Sequence, residues 1–284
     1  MNKLIITIAP TGNVPTKKLN PHSPLTTDEI ISDIKKCVAL GASIAHIHVR
    51  DENMNPTSDR KLFKDVLDRL DEDKVNVIKQ VSTGARGGEN TVEWRGQMLD
   101  LNAHMASLST GSSNFPKGIN ANSFDLIEAL ASKMYANNLK PEIEVFDTAM
   151  LFNAIKLCKK GVLKAPMHFN FVMGVPGSMP GTPKNLMFLA DNLPEGATWT
   201  VCGIGKAQVP IITMAIAMGG HVRTGLEDLV YYDQDVLATN EMLVQRVVNI
   251  ANAVGRDIAT VEEAKEILSL VSSSRLKDEI VFDA

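Results

Sequence analysis

Two histidines two residues apart, His46 and His48, stand near the end of the run Ser43–Val49 (SIAHIHV). The run is short, apolar and rich in β-branched residues, so it reads as a strand, on which side chains alternate between two faces. His46 and His48 therefore share one face, and Ala45, Ile47 and Val49 share the other. Two neutral imidazoles placed in this way can both reach one metal ion, commonly zinc. The same pair would also fit two core histidines hydrogen-bonded to their neighbours, and the spacing alone leaves both readings open. A catalytic zinc wants a third protein ligand and an open position. Glu227, in the segment RTGLEDLVYY, is the candidate for that ligand, and a solvated loop carboxylate is the other reading of it.

Such chemistry needs a scaffold that gathers strand ends in one place. Leu4–Ala9 is a first strand, closed by Pro10, Thr11 and Gly12. Thr26 and Glu29 have capping-box spacing ahead of a helix that puts Ile30, Ile34, Cys37, Val38 and Gly41 on one face. Strand two, Ser43–Val49, precedes a helix at Lys61–Leu70. The alternation continues through strands at Val75–Ser82, Met105–Ser109, Glu142–Phe146, Pro166–Val172, Thr198–Gly203 and His221–Thr224. Helical patterns follow each, among them Val92–Leu99, Phe124–Ala136 and Gln234–Val254, and Val261–Leu268 is a last helix before a polar tail at 271–284. Eight βα units predict a TIM (β/α)8 barrel and a single catalytic domain over residues 1–284. A doubly wound sheet is the alternative, but the first βα turn, PTGNVPTKK, lacks its glycine fingerprint.

A barrel places its functional residues at the C-terminal ends of the strands. Ser82 and Thr83, Ser107, Glu144, His168 and Asn170, and His221 and Arg223 all fall at or near such ends. For each serine alone, backbone hydrogen bonding in a turn is the simpler role. A carboxylate such as Glu144 on a buried strand needs a partner. The Gly/Pro-rich loop Gly174–Asn185 has amides at Gly174 and Gly177 which, with Lys184, could cradle a phosphate, or it is a plain ordered loop.

Composition narrows the function classes. The chain has 284 residues, 44% hydrophobic, with a net charge of −4 and its Lys and Arg scattered, so no basic face for nucleic acid is expected. Its three cysteines, Cys37, Cys158 and Cys202, lie far apart, which argues against a disulfide framework and fits a reducing cytoplasm. The apolar run Val209–Met218 is well short of the roughly 20 residues that span a membrane.

Five segments carry a resemblance to a known family: AHIHVRD (Ala45–Asp51), KQVSTGARGG (Lys79–Gly88), EIEVFD (Glu142–Asp147), HFNFVMGVPGSMPGTPKNL (His168–Leu186) and GGHVRTGLED (Gly219–Asp228). Together they resemble the β-keto acid cleavage enzymes, from about Leu4 to Leu268. The resemblance implies a TIM barrel, a homotetramer, a divalent metal (normally Zn2+) and acetyl-CoA as cosubstrate. It implies His46, His48 and Glu227 as metal ligands, Arg223 and Asp228 as a pair in which the Asp is the general base, and Ser82 as a contact to the substrate carboxylate. Ser107 stands where a relative has Thr, and Glu144 matches an acidic active-site position. Members acting on an aminated substrate have an acidic residue where this chain has Val14, so an uncharged or apolar acyl end is expected here. The implied reaction turns a β-keto acid and acetyl-CoA into acetoacetate and a new acyl-CoA. The competing expectations are a zinc aldolase or lyase that works without CoA, and a non-catalytic metal or metabolite binder.

Overall fold

Eight parallel strands close into a barrel in the computed structural model, which describes residues 2–85, 88–116 and 118–270. They are β1 (Ile6–Ile8), β2 (Ile44–Ile47), β3 (Ile78–Val81), β4 (Met105–Ser109), β5 (Lys140–Val145), β6 (His168–Met173), β7 (Thr198–Gly203) and β8 (His221–Thr224). Each neighbours the next in chain order, and β1 closes the ring by pairing with both β8 and β2. The expected TIM barrel is therefore found. The polar tail at 271–284 lies outside the described residues.

The helices cover the barrel's outer face. They are α1 (Thr27–Ala39), α2 (Arg60–Glu72), α3 (Val92–Arg95), α4 (Phe124–Ala136), α5 (Thr148–Lys159), α6 (Pro183–Asp191), α7 (Gln208–Met218), α8 (Asn240–Ala253) and α9 (Val261–Ile267). The Thr26–Glu29 capping box forms in both directions, satisfying two backbone donors that an uncapped helix would leave open, a contribution of about 1 kcal/mol. Outward strand residues such as Ile6, Ile47, Val81 and Leu108 pack with helix residues such as Ile34, Val66 and Leu130 in one large core. A second, smaller cluster seals the bottom, where Ile5, Ile44, Ile78 and Met105 meet Val261, Ala264 and Leu268 of the α9 region. An apolar floor leaves the mouth as the route into the barrel's interior.

Several boundaries shift from expectation, and three of the shifts have a local reason. Helix α8 begins at Asn240 rather than Gln234, because Tyr231–Asp233 and Val236–Leu237 pair as a hairpin around Asp235 (φ 60°), and Thr239 caps the helix. Helix α3 stops before Gly96. Strand β2 ends at Ile47, and Val49–Arg50 instead pairs with Pro56–Thr57 as a separate ribbon. Another ribbon, Ser113–Phe115 with Gly118–Asn120, emerges after β4. Among the described residues, no helix is long and apolar enough to cross a membrane.

Candidate active site and metal centre

Alternation along β2, continued one residue past its end at Ile47, delivers the histidine pair into the barrel. His46 Nε2 and His48 Nε2 are 3.2 Å apart, and the two side chains are almost fully buried. Glu227 arrives from the loop after β8, its Oε1 3.4 Å from His48 Nε2 and its Oε2 3.9 Å from His46 Nε2. Tetrahedral bonds of about 2.0–2.1 Å set donor atoms about 3.3–3.4 Å apart, so two of these three edges already match a zinc-sized site. Within the described residues, this is the group of three side chains with metal-ligand chemistry.

The protonation pattern agrees with such a site. His46 Nδ1 lies 2.5 Å from Gln80 Oε1. An amide oxygen only accepts, so the proton sits on Nδ1 and Nε2 keeps its lone pair for a metal. Burial, reinforced by the Arg223 charge, lowers the His46 pKa to about 3, so the ring stays neutral. Burial would raise the Glu227 carboxyl, but Arg223 and the two imidazoles outweigh it and hold the group below its ordinary value. Glu227 Oε2 has no hydrogen-bond donor, as a ligand oxygen would not.

Arg223 is the hub of the charged cluster. Its Nε and Nη2 bind Asp228 at 3.1 and 2.8 Å, Nη2 also reaches Glu227 Oε1 at 2.7 Å, and Nη1 lies 3.7 Å from Glu144 Oε1. One guanidinium thus faces three carboxylates in a buried site. A dication would favour the ionised form of all three. Burial raises the Asp228 pKa despite Arg223, and burial pushes Glu144 up to about 7, so Glu144 can exchange a proton near neutral pH. The buried Cys202 thiol on β7 donates a further hydrogen bond to Asp228.

The remaining expected residues separate into two groups. Ser82 is buried at the end of β3, and Gly84 N points to its Oγ at 3.4 Å. Ser107 stands beside it, but Thr83 donates its hydroxyl to Ser107 O at 2.6 Å and its amide to Ser107 Oγ at 3.3 Å. The Thr83 hydroxyl is therefore a latch between β3 and β4, its proton already committed. Val14 is 63% exposed on the β1–α1 loop. His168, Asn170 and His221 lie deeper in the barrel. His168 pairs with Glu142 at 3.5 Å, Asn170 donates to Glu142 at 3.2 Å, and His221 accepts the Ile5 amide at 3.1 Å. In the loop after β6, the Gly174 amide is turned onto Met179 O and Gly177 (φ 89°) passes so close to Asn114 O that a Cβ would collide with it. The geometry accounts for both glycines as turn residues, while Lys184 stands exposed in the first turn of α6.

Three further residues escaped the sequence reading. Gln80 orients His46, and it was visible in principle, because it shares a strand face with Ser82 and lies opposite His46 in register. Arg95 is fully buried and donates to Thr83 O at 2.6 Å and Ala121 O at 3.0 Å. Arg50 is buried and donates to Gly12 O, Pro15 O and Met54 O. Apart from Met54 O, the carbonyls that hold these two arginines lie 12 or more residues away, so no local pattern announces them.

Fold and site together define a (β/α)8-barrel protein with a His–His–Glu donor triangle beside an Arg–Asp pair. The chain belongs to the beta-keto acid cleavage enzyme family, whose sequence profile matches residues 3–270. It is 43% identical over 272 residues to the 3-keto-5-aminohexanoate cleavage enzyme of Fusobacterium nucleatum, covering 95% of this chain and 99% of that protein. It is 40% identical over 272 residues to the 3-oxoadipate:acetyl-CoA acetyltransferase of Cupriavidus necator, covering 94% and 95% of the two chains. The barrel also resembles the apo structure of ObcA, with a TM-score of 0.74 and 19% identity over 88% of this chain and 66% of that one, a likeness of fold.

Proposed function

We propose that this enzyme transfers the acetyl group of acetyl-CoA to a β-keto acid and cleaves it, giving acetoacetate and a new acyl-CoA. The observation that carries the reading is the bidentate Arg223–Asp228 pair set against the His46–His48–Glu227 triangle. The family and relatives named for acetyl-CoA-dependent transfer support the same chemistry. Residues 1–284 act as one catalytic domain, cytoplasmic and assembled as a homotetramer.

His46, His48 and Glu227 would hold a divalent ion, and their two nitrogens and one oxygen suit zinc. When bound, the ion supplies Lewis acidity that makes the α-proton between the substrate's two carbonyls easier to remove. Ser82 and Ser107 hold the substrate carboxylate, within the wall that Thr83 latches. Asp228, kept in place by Arg223 and Cys202, takes the α-proton. The resulting α-carbon attacks the acetyl carbonyl of acetyl-CoA and forms a C–C bond as the CoA thiolate leaves. The thiolate then attacks the original keto carbon, the bond from that carbon to the α-carbon breaks, and the proton returns from Asp228. Acetoacetate and the new thioester are the products. Glu144 is the second acid–base group, its carboxyl poised near neutrality. Lys184, with the Gly174–Gly177 turn beside it, draws the CoA phosphates toward the mouth. Val14 meets the acyl end, where a neutral or apolar substrate group fits and an ammonium finds no carboxylate.

The test is acetoacetate production by metal-replete protein with β-keto acids bearing cationic, neutral and anionic ends, each with and without acetyl-CoA. Product that requires acetyl-CoA supports the transfer. Cleavage in its absence would support an aldolase or lyase, and silence with every substrate would refute the proposal.

A further inference from the structure

The β1–α1 loop carries Val14 past the site, and its seating has three parts. Arg50 lies in the ribbon that follows β2 and is only 7% exposed. Its Nη2 donates to Gly12 O and to Pro15 O, the latter at 2.9 Å, and its Nη1 donates to Met54 O at 2.9 Å. The two loop carbonyls flank Asn13 and Val14, so a single guanidinium nitrogen holds both ends of that dipeptide. Met54, at the tip of the ribbon, adopts a left-handed φ of 64° and presents its carbonyl to the same guanidinium.

The loop in turn touches the site on two sides. A Cβ on Gly12 would lie 2.3 Å from Glu227 Cγ, so the Glu227 side chain occupies the room that a larger residue would need. Asn13 Nδ2 and Ser82 Oγ lie 3.9 and 3.7 Å from the point where Gly84 would carry a Cβ, so the Asn13 side chain and the Ser82 hydroxyl approach the same point beside Gly84. Arg50 thus sits behind a segment whose Gly12 packs on the Glu227 side chain and whose Asn13 lies near the Gly84 turn.

We propose that Arg50 is a positioning residue for acyl-end selection, clamping the Gly12 and Pro15 carbonyls so that residue 14 is held at a fixed place over the site. The inference rests on the reading of Val14 as the acyl-end contact. A planar fork serves three carbonyls at once, whereas the single ammonium of a lysine, on a flexible stem, does not reproduce that geometry. With the clamp loosened, the loop yields to whatever acyl end arrives, and the site loses preference before it loses chemistry.

The experiment compares zinc-loaded wild type with Arg50→Lys and Arg50→Gln, the second variant serving if the first does not fold. Three quantities are read: amide hydrogen exchange of a peptide covering residues 11–20, zinc content, and kcat and KM for β-keto acids with neutral and cationic ends. The expected result is an exchange rate in that peptide about ten-fold faster or more, with zinc content and the exchange of β5–β8 unchanged. KM for the neutral substrate rises, kcat stays within about three-fold, and the neutral-over-cationic preference shrinks by about ten-fold. Unchanged exchange in the peptide would overturn the clamp. Faster exchange with an unchanged preference would overturn its role in selection. If the wild type makes no acetoacetate, the proposed activity fails on its own, and exchange together with calorimetric binding of the two β-keto acids still decides the role of Arg50.

Discussion

Replacing Asp228 with Asn isolates the proton transfer from the rest of the site. The carboxylate is held by Arg223 Nε at 3.1 Å and Nη2 at 2.8 Å, two parallel bonds that an amide cannot duplicate. Asn keeps one oxygen to accept from the guanidinium but turns an NH2 toward its other donor. Arg223 retains Glu227 at 2.7 Å, so its charge stays paired and the stability cost falls at or below the low end of the roughly 3–5 kcal/mol of a broken buried pair. The kinetic cost is larger in kind. A positioned base contributes about 10²–10⁴-fold, which is about 2.7–5.4 kcal/mol of barrier. Exchange of the substrate's α-proton in D2O without acetyl-CoA, followed by proton NMR, reads this step alone. Asp228→Asn should lose that exchange by about two to four orders of magnitude while retaining its metal. A folded, metal-loaded variant that exchanges the α-proton at the wild-type rate would refute the assignment of Asp228 as base.

Gln80→Leu removes the acceptor that keeps the His46 proton on Nδ1. Zinc affinity measured against a competing chelator should fall about 10–100-fold, with activity recovering at saturating zinc, and unchanged affinity would count against the site. Glu144 gives a pH signature in metal-free protein. Burial raises its folded pKa from the ordinary 4.5 to about 7. The folded state therefore binds more protons than the unfolded state between those values, and stability falls as pH rises through the window. Glu144→Gln abolishes that loss, so its thermal stability relative to wild type should improve from pH 4.5 to pH 8 by on the order of 3 kcal/mol. A difference that stays flat across the range would show that Glu144 is not held protonated.

Legibility differed by the range of the interaction involved. The strand-borne chemistry was readable because period-two alternation is local: His46 and His48, Ser82 and Glu144 were assigned to the barrel mouth from their own neighbours. The same rule reaches too far down the strands, since it also nominated His168, Asn170 and His221, which form a polar layer beneath the site. Depth depends on register and shear around the whole ring, and a single strand carries no record of either. Thr83 was legible as a site neighbour but not as a latch, because its partner carbonyl belongs to β4. The delayed start of α8 reflects a hairpin whose Asp235 turn and Thr239 cap outcompete a helical pattern that reads as continuous.

The site divides into two mechanical parts, and that division bears on how substrate choice and chemistry can vary independently. Arg223, His46 and the Gln80 that orients His46 lie on barrel strands whose hydrogen-bonded neighbours fix them on both sides. Asp228 and Glu227 leave the barrel by three to four residues, yet Arg223 ties both of them back to β8. Val14 belongs to a loop tied down by Arg50, which is itself outside the barrel. Under the proposed function, a change at residue 14 would therefore alter what meets the acyl end without displacing Arg223 or Asp228. Gly12 is where the two parts press together, and its missing Cβ is what lets them do so.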